Sequence, residues 1–444
     1  MLKEELKKLC IEAIDNNKEK IIQFGKNIYE TPELGYKEFK TTEKVISAFK
    51  DLGQEVETEI AYTGCRISSG SKNSPVIAVI GELDSIICPS HKDANSDGNV
   101  HACGHHVQLA NLYGSAIGLL NSGVINKLDG RVDFIAIPSE ECVDYGYRTK
   151  LINEGKIKYF GGKQEALYRG KFDNIDIYMQ CHMKDFDDGK KCIVNSKCDG
   201  FMTKIVKFIG KSSHAGFAPH EGINALNMAN LAINNINALR ETFKDEDKVR
   251  VSAIITNGGD LVNVVPDTVC MEIMVRAFTT DAIIEINKKI TKALKAAAFA
   301  LSGSVEINDR VGYLPLKTDE ELSNLYKNNM IEYGNASDDD FVEMYETAGS
   351  TDLGDLSQLK PCMHIWASGI TGGLHTADFK IDDDYTAYVL PAKMLALTVI
   401  DLLYDNAEKA KNIMSEFKAN FTKEEYLDFL DKNTFIDLFD GSDL

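Results

Sequence analysis

Val76-Ile-Ala-Val-Ile80 is an unbroken apolar run that leads directly into Gly81-Glu82-Leu83-Asp84. A strand with one wet face alternates apolar and polar residues, whereas a strand covered on both faces does not. The run therefore predicts an interior strand of a parallel α/β sheet, with acids at its carboxyl end. The pattern recurs along the chain. Val132-Asp-Phe-Ile-Ala-Ile137 leads into Pro138-Ser139-Glu140-Glu141, and Ile175-Asp-Ile-Tyr-Met179 leads into Gln180-Cys181-His182. Three buried-type strands thus end in residues able to hold a metal or move a proton. Open α/β sheets bind their ligands beyond the carboxyl ends of the strands, so these ends predict one shared site.

Between the first two strands lies His101-Ala-Cys-Gly-His-His106. Thiolate and imidazole are the ligands that borderline metals prefer, and Cys103-Gly104-His105 is short enough for both side chains to reach one ion. The polar segment Asp93–Asn99 precedes the motif and an apolar-rich helix, Val107–Leu120, follows, so the ligands fall at a loop-to-helix junction. A buried structural cysteine beside surface histidines, or a papain-like Cys/His pair, would use the same residue types. The chain has only nine histidines, and three within six residues favour a metal.

Helical periodicity covers Leu2–Tyr29, stopped by Thr31-Pro-Glu-Leu-Gly35, and then Lys37–Leu52, ended by Gly53. Two short strand-like runs follow, closed by a turn at Gly70-Ser-Lys-Asn73. From Lys197 to Arg310 the order becomes strand (Phe201–Ile209), helix (Asn224–Phe243), two strands (Val249–Thr256 and Thr268–Ala277), helix (Asp281–Leu301) and strand (Ser304–Asp309). That βαββαβ order is the ferredoxin-like split motif. Strand and loop signals resume afterwards, with Cys362–Ala367 leading towards Gly372-Gly-Leu-His375-Thr376 and a closing helix at Asp384–Leu403. The expectation is a discontinuous first domain, 1–196 with 311–444, carrying a second domain inserted at 197–310. Residues 404–444 read as an acidic extension without assigned chemistry.

Bulk properties narrow the function. With 49 basic against 68 acidic residues the net charge is −19, which argues against nucleic acid or an anionic membrane as partner. The start lacks the apolar core of a signal peptide, and no run approaches transmembrane length. The ten cysteines form no CxxC pair. A reducing cytoplasm and free, buried thiols are expected.

A di-metal hydrolase needs a bridging ligand, terminal ligands, a base for the attacking water and a group to stabilise the oxyanion. Cys103 could bridge as thiolate, and His105, Glu141, His182 and His375 could be terminal ligands. Glu140 could be the base, and Asp84 could orient a ligand imidazole. Strand neighbours point to opposite faces, so Glu140 and Glu141 can share one centre only if the backbone there is irregular. The alternative is a solvated acidic pair.

These residues resemble the aminoacylase/glutamate-carboxypeptidase-like di-metal amidohydrolases, in the branch of auxin-conjugate hydrolases, p-aminobenzoyl-glutamate hydrolase and small dipeptidases. The resemblance also rests on Pro32-Glu-Leu-Gly35, Ser213-His-Ala-Gly216, Gly222-Ile-Asn-Ala225, Gly258-Gly259, Asn263-Val-Val-Pro-Asp267 and Gly349-Ser-Thr-Asp352. It implies a mixed or parallel-sheet catalytic domain with an inserted ferredoxin-like lid and dimerisation domain. It implies two divalent ions per subunit, zinc or manganese. Cys103 would bridge them, with Glu141 and His375 on one and His105 and His182 on the other. It makes Glu140 the base, His214 a group that reaches the partner's site in a homodimer, and Asn263 and Arg276 substrate-binding residues, Arg276 for a free carboxylate. Glu82, where relatives usually carry Asp or His, and His106, where many carry Asp, depart from the pattern; with His101 they have no assigned role.

The expected activity is hydrolysis of an amide in an N-acyl amino acid, an aminobenzoyl-glutamate-type conjugate or a small dipeptide. A catalytically silent metal-binding scaffold or sensor would not need to keep Glu140. A cysteine-nucleophile hydrolase would not need so many further ligands.

Overall fold

The strand Val76–Glu82 is buried along its whole length and lies near the middle of a mixed sheet. Its neighbours on both sides, Arg131–Ile137 and Ile177–Met183, run parallel to it. Cys362–Ala367 continues the parallel set beyond Ile177–Met183. At the other side the direction reverses, through Gly64–Gly70 and then Glu57–Ile60. The structure, a computed structural model, describes residues 1–71 and 75–441; Lys72 and Asn73 of the expected turn lie outside the described residues.

Because the central strands are parallel, their carboxyl ends share one edge of the sheet. The fully apolar inner residues of these strands meet the helix His105–Asn121, of which only the last two residues are not buried. Gly81 permits this closeness: a Cβ there would sit 3.2 Å from the Gln108 carbonyl oxygen and from a Leu109 methyl. The third strand is longer than its apolar run suggests. It extends through Met183, so His182 stands inside the strand rather than after it.

The helical segment Tyr385–Leu403 revises another expectation. It is long and apolar enough to cross a membrane by length and composition, with a mean hydropathy of 1.5, but 83% of that window is buried within the protein. It packs against His105–Asn121, Lys3–Asp15 and Glu320–Tyr333. Its apolar surface serves the core. All ten cysteines are free, and eight of them are buried.

The chain divides into two compact units. The first is Met1–Lys197, Lys317–Glu346 and Asp355–Asn420; the second is Cys198–Leu316, Thr347–Gly354 and Phe421–Leu444. Within the second unit the βαββαβ order holds. Its antiparallel sheet runs Arg250–Asn257, Thr268–Ala277, Gly200–Ile209, Ser304–Val311. Helices Ala225–Leu239 and Thr280–Ala300 share one apolar core with it. Each helix begins at a side-chain cap, Asn224 accepting from the Asn227 N–H and Thr279 from the Ala282 N–H.

Assigning all of 311–444 to the first domain is incorrect. Phe435–Asp440 pairs antiparallel with Ser304–Val311 as a fifth strand, and Thr347–Gly354 also belongs to the second unit. Acidic composition hid this strand, because Asp437 and Asp440 interrupt its apolar pattern. Asp437 is matched by Lys295 at 2.6 Å, and Tyr426 and Leu430 of the preceding helix are buried. Ending the chain at Asn420 strips the edge of Ser304–Val311 of its partner. We expect a lower melting temperature and faster aggregation, read by calorimetry and light scattering; an unchanged transition would mean that the fifth strand contributes nothing.

Candidate active site

Metal-capable side chains converge at the carboxyl edge of the parallel strands, all within the first unit. Ligand atoms of Cys103, His105 and His182 lie within 4.8 Å of one another, and so do those of Cys103, Glu141 and His375. The two triads share the Cys103 sulfur. A third group combines Glu82, His105 and Glu140.

Local backbone explains the convergence. Gly104 takes φ = 88° and starts the helix His105–Asn121, so Cys103 and His105 sit where the helix exposes unsatisfied N–H groups that favour negative charge. Ser139 takes φ = 60°, the left-handed break that lets Glu140 and Glu141 escape strand alternation. His375, at φ = 63°, lies in the loop before Lys380–Ile381 and donates its backbone N–H to the Ala102 carbonyl at 2.8 Å. That bond docks its loop onto the one carrying Cys103.

Asp84 joins the two triads. Its Oδ2 accepts the Glu141 backbone N–H at 2.8 Å. The Asp84 carbonyl and Oδ1 face His105 Nδ1 at 2.9 and 3.2 Å. Both are acceptors, so Nδ1 carries a proton and Nε2 faces the cluster. There Nε2 lies 3.0 Å from Glu82 Oε2 and 3.9 Å from Glu140 Oε2. His375 Nε2 lies 2.9 Å from Glu141 Oε1, and His182 Nε2 lies 3.6 Å from the Cys103 sulfur.

The electrostatics suit a cation. Burial pulls the His105 pKa down, but Glu82 and Asp84 outweigh it and lift it to about 10. Burial, followed by the charge on His105, drops His182 to about 4. Hydrogen bonding to Glu141 raises His375. Burial, with Glu141 and Glu140 next, pushes the Cys103 thiol well up. A cysteine nucleophile needs the opposite, a pKa lowered by a neighbouring cation, so the papain-like reading loses its physical basis. A buried group of imidazoles, carboxylates and a thiol, with His105 Nε2 making no hydrogen bond, fits divalent ions.

Glu82 is fully buried and held by three donors. Lys163 Nζ and Gln180 Nε2 reach Oε1 at 2.6 and 2.8 Å, and Gln108 Nε2 reaches Oε2 at 2.7 Å. Burial opposes its charge, but Lys163 and then His105 hold the carboxyl well below the usual range. Lys163 gave no sequence signal; the unusual glutamate at position 82 was the only hint. Trp366, also unanticipated, stacks its ring 4.7 Å from that of His182. His101 and His106 lie in none of the three clusters. Burial drops His101 to about 3 and His106 well below the usual range, and His106 packs on the Tyr29 ring at 4.9 Å.

The remaining expected residues belong to the second unit. His214 is exposed, and its Nδ1 accepts backbone N–H groups of Gly216 and Phe217 at 3.2 and 3.0 Å. That fixes the proton on Nε2 and leaves an outward-facing donor. The Asn263 carbonyl accepts the Ala215 N–H at 3.0 Å. Arg276 Nη1 is engaged by Ser350 Oγ at 2.9 Å, the Ala348 carbonyl at 3.0 Å and Asp199 at 3.4 Å.

Comparison with known proteins agrees with this architecture. The family model of the M20 peptidase dimerisation domain matches residues 199–300. A dinuclear metal-binding peptidase of the M20 family from Bacillus subtilis shares the fold at TM-score 0.66 and 19% identity, covering 88% of this chain and 99% of its own. The chain is thus similar to an M20 peptidase dimerisation domain over residues 199–300 and shares the fold of an M20 peptidase over most of its length. An aminobenzoyl-glutamate utilization protein from Klebsiella pneumoniae also shares the fold, at TM-score 0.67 and 15% identity, over 89% and 98% of the two chains. Among curated proteins, the Xaa-Arg dipeptidase of Mus musculus is 26% identical over 96% of this chain and 95% of its own.

Asp84 serves both triads, so Asp84→Asn should weaken divalent-ion binding about 10–100-fold, the usual cost of losing such an outer partner. Trp366 is the only tryptophan in the chain, and quenching of its emission by added cobalt reports occupancy beside His182. An unaltered titration would show that Asp84 does not orient the ligands.

Proposed function

We propose that this chain hydrolyses the amide bond of a small substrate carrying a free carboxylate: an N-acyl amino acid, an aminobenzoyl-glutamate-type conjugate or a small dipeptide. Kinship with the M20 peptidases makes it a metal-dependent hydrolase; the finer reading draws on its own residues. The observation that carries it is the pair of donor triads sharing the Cys103 sulfur, with Glu140 alongside. Cys103, Glu141 and His375 would hold one ion, and Cys103, His105 and His182 the other. Two divalent ions supply, when bound, polarisation of the scissile carbonyl and a more acidic water.

Glu140 takes the proton of the attacking water on its carboxylate and delivers it to the leaving nitrogen. Asp84 keeps His105 and the Glu141 backbone oriented throughout. Arg276, anchored on Nη1 by Ser350 and Asp199, uses its remaining guanidinium face to hold the substrate carboxylate, and Asn263 supports the same end. His214 offers its Nε2–H to the carbonyl oxygen as negative charge develops there.

We read the working unit as a homodimer in which His214 serves the neighbouring subunit. The second unit exposes apolar residues, among them Phe217, Ile254 and Val262, the Phe217 ring lies 6.5 Å from that of His214, and Arg250–Asn257 is an open sheet edge. A self-complementary edge of this kind suits a two-fold interface.

Turnover by the purified enzyme should require divalent metal and stop on chelation. Glu140→Gln should retain both ions while losing about 10²–10⁴ in rate. Lost metal or a near-normal rate would show the Glu140/Glu141 roles to be misassigned. Substrates with an esterified carboxylate should turn over poorly; equal rates would remove Arg276 from its role.

His214→Ala should lower the rate by roughly 10²–10³. Mixing it with Glu140→Gln under demonstrated subunit exchange should restore activity, because one site of each mixed dimer then has both groups. Absence of recovery, or an active monomer, would place His214 within its own chain's chemistry or outside the reaction.

A further inference from the structure

The Glu140–Glu141 pair depends on the residue before it. Ser139 sits at φ = 60°, a conformation that side chains with a Cβ adopt only at a cost. It follows the end of the strand Arg131–Ile137 by two residues. Three hydrogen bonds fix it. Its hydroxyl donates to the Phe160 carbonyl at 2.9 Å, and its carbonyl accepts the Gly162 N–H at 3.1 Å. Its backbone N–H donates to Glu38 Oε1 at 2.9 Å.

Glu38 is fully buried, and its second oxygen, Oε2, accepts the Thr63 hydroxyl at 2.7 Å. An isolated buried carboxyl is costly to keep unless its oxygens are satisfied. Here each oxygen has its own partner, the Ser139 N–H on Oε1 and the Thr63 hydroxyl on Oε2. A glutamine could keep both contacts, because the Thr63 hydroxyl can accept as well as donate, whereas a leucine offers the Ser139 N–H no acceptor. Thr63 precedes the strand Gly64–Gly70, so this acid ties a second strand to the turn that carries the glutamate pair.

We propose that Glu38 is a positioning residue: by clamping the Ser139 backbone N–H it holds the left-handed turn that directs both Glu140 and Glu141 to the centre. Glu38 acts through the backbone and contacts none of the donor atoms. The assignment rests on the reading of Glu140 as base and Glu141 as ligand.

The test exploits glycine, which takes positive φ without penalty. Glu38→Leu and the double variant Glu38→Leu/Ser139→Gly are compared with wild type for kcat, KM, cobalt affinity and melting temperature. Glu38→Leu is expected to lower kcat about tenfold to a hundredfold, the weight of a left-handed residue held without help. KM should change little and cobalt affinity should fall. The double variant should regain most of both losses, which a purely structural role for Glu38 would not produce. Should Glu38→Leu fail to fold, Thr63→Val loosens the same side chain, and its smaller loss should likewise be recovered by Ser139→Gly. Unchanged kcat and affinity in Glu38→Leu, or a folded double variant no better than the single, overturns the clamp while leaving the hydrolase reading intact. A wild type that binds no divalent ion overturns both together.

Discussion

One carboxylate holds the functional edge of the sheet together. Asp84 lies just beyond the strand Val76–Glu82, grips His105 on one side and receives the Glu141 backbone on the other. Its own position is secured from behind. The next residue, Ser85, gives both its N–H and its hydroxyl to the Glu33 carbonyl, while Leu83 donates to Ile137. Burial opposes the charge on Asp84, but His105 outweighs it and keeps the pKa below the usual carboxylate range. The Pro32-Glu-Leu-Gly35 segment therefore matters through its backbone as well as its side chains. A Cβ at Gly35 would fall 2.5 Å from an Arg148 nitrogen and 2.7 Å from the Ser139 hydroxyl, and Arg148 itself donates to the Glu141 carbonyl.

The centre gathers more negative charge than its lysine can answer. Lys163 meets Glu82, yet Asp84, Glu140 and Glu141 come to the same edge from adjacent strands. In a low-dielectric interior such a concentration is stable only with compensating positive charge or protons. The raised His105 and Cys103 pKa values express that demand, because a proton held there does part of what divalent cations would do. Stability and chemistry thus draw on the same electrostatic imbalance.

Much of this could be read from the chain. The central strands announced themselves because burial on both faces imposes a continuous apolar run, and their acidic or histidine ends marked the functional edge. Cys103, His105, Glu141, His182 and His375 come together as their residue types suggested, although His182 lies within its strand. What escaped reading depends on contacts distant in sequence. Nothing near Lys163 indicates that it pairs with Glu82, and nothing near Glu38 indicates that Ser139 leans on it. Ser139 itself carries no glycine to betray its positive φ. The strand Phe435–Asp440 was obscured because its aspartates break the alternation, one of them answering Lys295 on a neighbouring helix. The helical segment Tyr385–Leu403 shows the converse: a mostly apolar stretch whose destination, lipid or protein core, only packing decides.

That fifth strand has a bearing on the order in which the molecule is made. Synthesis proceeds from the amino end, and domains generally fold as they emerge. The βαββαβ segment is complete by Val311, but the edge of Ser304–Val311 stays bare until Phe435–Asp440 has left the ribosome. Through that interval the nascent chain carries an open strand edge beside buried-type residues such as Val305 and Ile307. The second unit is begun well before it is closed, so its completion is tied to translation of the segment between Val311 and Phe435, and the intervening period is when a chaperone would have an unpaired strand to protect.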